Sequence, residues 1–157
     1  MSGFRRGVRL GIDVGKARVG VSRCDPDGML AVPVETVARS AQSLARIAEL
    51  AGEYEPFEFV VGLPVNMQGV DTESTVDARE FASALQALTG VPVRMIDERL
   101  STVTAHAALR SSGRTQKKSR SIVDQVAAVV LLQHAIDIEK STGNPAGSVV
   151  PTDEEPH

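Results

Sequence analysis

At 157 residues, with 42% apolar residues and a formal net charge of −3, the chain has the size and balance of one globular domain and is too short for two ordinary ones. No apolar run reaches the length of a membrane-spanning helix, and the single cysteine, Cys24, excludes an internal disulfide or a cysteine-based metal site. These features point to a cytoplasmic protein with no membrane partner.

The opening residues, MSGFRRGVRLGIDVG, are basic but lack a separate apolar segment before a cleavage site, so they read as the approach to a strand rather than a signal peptide. Residues 8–14, 17–23 and 29–37 are expected strands. Gly15 and Lys16 join the first two, and Pro26 and Gly28 of DPDG form the second turn. The same turn signal puts Cys24 near the surface, as an inert thiol. SAQSLARIAELAGEY sets Leu44, Ile47, Ala48 and Leu50 at helical spacing. FEFVVGLP is a short apolar run stopped by Pro64, a buried strand. STVDAREFASALQALTG puts Val76, Ala78, Phe81, Ala82, Leu85 and Leu88 on one helical face, with Gly90 as the stop.

VPVRMI is the fifth expected strand. STVTAHAALRSSG is an expected helix capped by Ser101 and ended by Gly113. SIVDQVAAVVLLQHAIDIEK is a long, broadly apolar helix. The order βββαβαβαα predicts an α/β fold with a mixed sheet and helices on both faces. Residues 1–140 form the expected domain. The aperiodic Gly/Pro/Ser/Thr-rich stretch 141–157 is an expected disordered tail.

The charge is segregated. RSSGRTQKKSR, residues 110–120, holds five basic residues and no acid, so the remainder is more acidic than the net charge implies. Its glycine and serines suggest a mobile loop.

Three acids stand out against this frame. Asp13 lies at the end of the first strand between Ile12 and Val14, in the most apolar part of the expected sheet. Asp97 and Glu98 follow the fifth strand. Adjacent strand residues point to opposite faces, so only one of them can share a site with Asp13. Asp124 lies in the first turns of the expected last helix, on its sheet-facing side with Ala127 and Ala128. Turn formation explains Asp13 less simply, and the helix dipole explains the other two about equally well.

Together the three say more. Carboxylates held roughly 4 Å apart repel by about 4 kcal/mol per pair at an effective dielectric near 20. A fold keeps such a cluster when protons or a cation neutralise it. Carboxylates without His or Cys favour Mg²⁺ or Mn²⁺, and such ions suit displacement at phosphorus.

LGIDVGKARVGVS, VVGLPVNMQG, DERLSTVTA and SIVDQVAAVVLLQ, in this order, resemble the four signature segments of the YqgF family, also called RuvX. The resemblance runs roughly from residue 8 to residue 133. It implies an RNase H-like fold with a five-stranded mixed sheet, similar to RuvC-type Holliday junction resolvases. It also implies a metal-dependent nuclease. Family members are described as nucleases for the 5′ end of pre-16S rRNA, and some as Holliday junction resolvases.

The acids of the family's motifs fall on Asp13, Glu98 and Asp124, which would serve as catalytic residues and metal ligands. Many RNase H-like nucleases carry a fourth acid one turn along the last helix, where this chain has Ala127 and Ala128. Asn66 in the second segment, Arg99, and the block residues Arg114, Lys117, Lys118 and Arg120 would contact the nucleic acid. Interleaved aromatics are lacking, so phosphate geometry and shape would dominate recognition. His106 and His134 read as helix-surface or core residues.

The expected partner is structured RNA or branched DNA. A homodimer suits a symmetric junction, although no dimer interface is visible in the sequence. Two other classes compete. GIDVG also resembles a phosphate loop of actin-type and sugar-kinase ATPases, which need two lobes and far more chain. A noncatalytic nucleic-acid-binding adaptor would have little reason to keep all three acids.

Overall fold

The computed structural model describes residues 4–65, 68–97 and 116–151, with the backbone alone over 116–124. The strands are β1 (Arg9–Val14), β2 (Arg18–Cys24), β3 (Ala31–Ala38), β4 (Glu58–Leu63), β5 (Val93–Asp97) and β6 (Ser148–Val149). The helices are α1 (Ser43–Tyr54), α2 (Glu73–Thr89) and α3 (Gln116–Thr142). The expected helix over 101–113 lies outside the described residues.

The six strands form one sheet in the order β3-β2-β1-β4-β5-β6. β1, β2 and β3 pair antiparallel, as short turns allow, whereas β1, β4 and β5 pair in parallel through helical crossovers. The parallel strands are central, and their burial explains their nearly continuous apolar runs. α1 and α2 cover one face, and α3 covers the other, lying on β1, β2, β3 and β4. Strand alternation divides the core accordingly. Leu10, Ile12, Val19, Val21, Phe59 and Val61 pack with α1 and α2, and Val60 and Ile96 pack with Leu131, Leu132 and Ile136 of α3.

Five expected strands are present, and β6 is the addition. It pairs with β5 through Arg94–Val149 and Met95–Ser148. The stretch from 143 to 151, expected as part of a disordered tail, therefore returns to the sheet. Ala146 and Val150 are buried, and Gln86 of α2 donates to the Val150 carbonyl at 3.1 Å. Two buried apolar residues and a few hydrogen bonds make this docking, too little for a periodic signal.

Other details also depart from the sequence reading. Cys24, expected near the surface, is 1% exposed, because β2 continues to it before the turn and its Sγ accepts the Arg9 N–H at 3.3 Å. The turn after it forms as expected, with the Asp25 carboxylate accepting the N–H groups of Asp27, Met29 and Leu30. On α2, Val76 and Leu88 are exposed, at 49% and 56%. Their places on the inner face are taken by Thr75 and Gln86, whose polar atoms find partners there. Gly90 ends α2 as expected, at φ +74°.

Candidate active site

α3 runs antiparallel to β1, and contacts along its length set the register. Glu139, near its C-terminal end, bonds Arg9 at the start of β1 at 3.0 Å. Midway, Ser22 on β2 donates to the Ala128 carbonyl at 2.7 Å, and Ser22 pairs with Gly11. A Cβ at Gly11 would stand 2.9 Å from that same carbonyl, so glycine there lets the helix lie close against the sheet.

One step further along β1 the row reads Asp13–Gly20–Thr36 across β1, β2 and β3. Gln125 of α3 donates to Thr36 Oγ1 at 2.9 Å. Asp13 thus lies on the α3 face of the sheet, in the row crossed by the residue that follows Asp124. It sits near the carboxyl end of a central strand, where α/β sheets place their sites.

Asp13 is half-buried, with Gly20 opposite it on β2. The Ile12–Val61 pair, extended by one step, sets Gly62 of β4 on its other side. Its neighbours in the row on both adjacent strands are thus glycines, which carry no side chain on the α3 face. The small residues Ala127 and Ala128 let α3 pack closely on the sheet. Both are buried, and at Ala128 the helix meets β1 and β2.

Asp97 closes β5 and pairs with Leu63. Alternation with Val93 and Met95 gives it the α2 face, away from Asp13, while Ile96, two residues before Glu98, packs against α3. Glu98, Arg99, Asn66 and Arg114 lie outside the described residues. Lys117, Lys118, Arg120 and Asp124 are placed by backbone only, within α3. Two expectations change as a result. The basic block is helical from Gln116 onward rather than a loop throughout, and Asp124 is not a first-turn residue, so the helix dipole no longer accounts for an acid there.

Among the described residues no group of three His, Cys, Asp or Glu side chains is assembled. Of the three expected ligands, only the Asp13 side chain is described. The expected donor set fits a hard divalent cation in its chemistry, because all its donors are carboxylate oxygens. His134 is a half-exposed residue of α3, in keeping with its noncatalytic reading.

Several residues that shape this region carried no sequence signal. Thr36 and Gln125 fix α3 over the Asp13 row. Arg39 and Asp77 form a two-toothed ion pair at 2.8 and 3.0 Å beside the β1–β2 turn. Each partner lies far from the other in sequence, so spacing alone does not connect them. The Arg39 hydrogen bond holds the Asp77 carboxyl below the usual range despite partial burial.

Comparison with known proteins follows the same lines. The family profile RuvX, described as Holliday junction resolvase, matches residues 7–138. A protein of Leifsonia xyli subsp. xyli is 56% identical over 149 residues, covering 94% of this chain and 96% of its own. One from Streptomyces coelicolor is 49% identical over 150 residues, covering 94% and 90%. Both are named as candidate pre-16S rRNA nucleases. Among solved structures, Thermus thermophilus RuvC in complex with a Holliday junction substrate superposes with a TM-score of 0.56 at 21% identity, covering 88% of this chain and 98% of that one. RuvC without that description gives 0.54 at 20% identity. These two share the fold.

Proposed function

The chain belongs to the RuvX family, and from that premise we propose that it is an endonuclease hydrolysing phosphodiester bonds in structured nucleic acid, with 5′-end maturation of pre-16S rRNA as its task. The carrying observation is the position of Asp13 on the α3 face at the carboxyl end of β1, in the row crossed by Gln125. That position suits a carboxylate meant to work together with Asp124. The names of the closely similar proteins from Leifsonia and Streptomyces support the RNA substrate.

In this reading Asp13, Glu98 and Asp124 are the catalytic carboxylates and would hold Mg²⁺ or Mn²⁺. Such an ion, when bound, would make a water more acidic and offset charge on the phosphate. The pairing of β1 and the packing of α3 on the sheet fix the backbones of Asp13 and Asp124 against mutual repulsion. Arg114, Lys117, Lys118 and Arg120 pair with phosphates along the approach to the site, and Arg99 and Asn66 contact the backbone beside it. The nucleic acid is the partner, and the cytoplasm is the setting in which it is met.

A second reading, resolution of four-way DNA junctions by a homodimer, is favoured by the family profile's description and by the RuvC-like fold. Cleavage of a labelled precursor 16S 5′-end RNA and a labelled four-way DNA junction, each with Mg²⁺, Mn²⁺ or EDTA, separates the two. Metal-dependent cutting of the RNA alone is the expected result. Cutting of the junction alone would transfer the proposal to the second reading, and cutting of neither would remove both.

A further inference from the structure

Arg39 holds the turn that follows Asp13 from outside. Gly15 and Arg18 close the turn, with the Gly15 N–H donating to the Arg18 carbonyl at 2.9 Å. Lys16 and Ala17 at its tip are exposed, so apolar packing does little to hold it. Arg39, the residue after β3, reaches it twice. Its backbone N–H donates to the Ala17 carbonyl at 3.0 Å, and its Nη1 donates to the Gly15 carbonyl at 2.9 Å.

The same guanidinium is fixed on its far side by α2. Nη1 and Nη2 donate to the two carboxylate oxygens of Asp77 at 2.8 and 3.0 Å, and the group lies over the Phe81 ring, one turn further along α2, at 5.2 Å. A planar cation gripped by a bidentate carboxylate and an aromatic face has little freedom left. α2 is itself anchored. Thr72 and Thr75 form a capping box, and Thr75 Oγ1 donates to the Pro64 carbonyl just past β4. The first turns of α2 therefore brace the carboxyl ends of both β1 and β4.

We propose that Arg39, held by Asp77, is a positioning residue that clamps the Gly15 carbonyl and thereby fixes Asp13 for catalysis. The inference rests on the proposed function, in which Asp13 is a catalytic carboxylate. Its physical basis is the demand of a self-repelling carboxylate cluster. Displacing a reacting group by about 1 Å costs roughly a hundredfold in rate, and the Arg39 contacts with the Gly15 and Ala17 carbonyls tie the turn two residues beyond Asp13 to α2. The pair spans an open cleft and is partly solvated, with side chains 25% and 35% exposed. Partly solvated pairs contribute little to global stability, so a role in positioning is separable from one in folding.

The test uses the full chain carrying Arg39→Gln, Asp77→Asn or Arg39→Lys, with Arg46→Gln as control. Arg46 makes an equally two-toothed pair with Glu35, at 2.6 and 2.9 Å, away from the β1–β2 turn. Three quantities are read: Tm, hydrogen exchange of the Gly15 amide, and kcat and KM for cleavage of the precursor RNA and the DNA junction with Mn²⁺. Arg39→Gln and Asp77→Asn are expected to speed Gly15 exchange at least tenfold. They should lower kcat by about ten- to a hundredfold with KM unchanged. Arg39→Lys, which keeps one donor for Gly15, should recover part of the loss, and Arg46→Gln should leave Gly15 exchange, kcat and KM unchanged.

Wild-type Gly15 exchange in Arg39→Gln would overturn the clamp whatever the activity. Full activity of Arg39→Gln beside an inactive Asp13→Asn would overturn it while sparing the proposed function. Full activity of Asp13→Asn would instead overturn the proposed function, and with it the catalytic purpose of the clamp.

Discussion

Gly11 lies directly beneath Ala128: a Cβ on Gly11 would come within 2.9 Å of the Ala128 carbonyl oxygen and within 2.9 Å of Leu132 Cβ. Ser22 Oγ, the nearest atom, can give way only by leaving the Ala128 carbonyl it bonds, and the other two are not flexible side-chain ends, so Gly11→Ala pushes α3 from β1. Overpacking of this kind costs about 1–3 kcal/mol. Asp13 is two residues along the strand and Asp124 one turn along the helix, so the shift also separates them. Gly11→Ala is expected to lower the urea midpoint and to slow cleavage. An unchanged midpoint would show that the helix accommodates the methyl group.

A buried ionic network lies at the other end of the same helix–sheet contact. Glu139 accepts from the Arg5 N–H and guanidinium and from Arg9, and Glu58 accepts from Arg5 and Arg94. The Glu139, Glu58 and Arg9 side chains are 2–4% exposed. Burial pushes the Glu139 carboxyl up, but hydrogen bonds from Arg5 and the charge of Arg9 outweigh it and hold the group below its usual value. A depressed carboxyl contributes stability that is present above its unfolded pKa, about 4.3, and is lost as pH falls through the folded value. Glu139→Gln should cost about 3–5 kcal/mol at neutral pH, because it leaves buried arginine charge unpaired. It should also flatten the acid limb of stability against pH. An acid limb identical to that of the wild type would contradict this.

The return of the chain to β5 carries a stability prediction. The Val150 N–H donates to the Val93 carbonyl at 2.8 Å, and Gln86 bridges the Val93 N–H and the Val150 carbonyl. A chain ending at Gly143 loses these bonds and the burial of Ala146 and Val150. Burying one valine is worth about 1.5–3 kcal/mol, so the truncation should lower the unfolding free energy by at least that much. A dispensable tail would leave it unchanged.

The sheet was legible in the sequence where burial writes a local pattern. β1, β4 and β5 are apolar runs cut by Gly and Pro, and α1 and α2 have helical spacing with Gly90 at the end of α2. What escaped is what depends on distant partners. Glu139 meets Arg5 across 134 positions and Gln125 meets Thr36 across 89. Val76 and Leu88 looked like core because hydrophobicity was read without knowing where α1 and the sheet end. β6, with two residues, has no period to detect. For the site, strand and helix position singled out Asp13, the Asp97–Glu98 pair and Asp124, the family resemblance selected Glu98, and the structure added the register that places Asp13 on the face of α3.

The basic residues at the start of α3 bear on binding rather than chemistry. Each phosphate contact releases counterions, giving a salt slope of about 0.9 per contact on duplex DNA and about 0.7 on single strands. Lys117→Gln with Lys118→Gln is expected to weaken binding and to make the dependence of log K on log salt shallower by about 1.4–1.8. Binding unchanged at every salt concentration would exclude both lysines from the interface.

The most direct measurement is cleavage by Asp13→Asn beside the wild type, with Mg²⁺ or Mn²⁺, on the precursor RNA and the four-way junction, together with the Tm of each protein. The variant is expected to bind nucleic acid, to keep or raise the wild-type Tm as repulsion is relieved, and to cut nothing. Wild-type cleavage by folded Asp13→Asn would contradict the account, and a collapsed Tm would make Asp13 a structural residue.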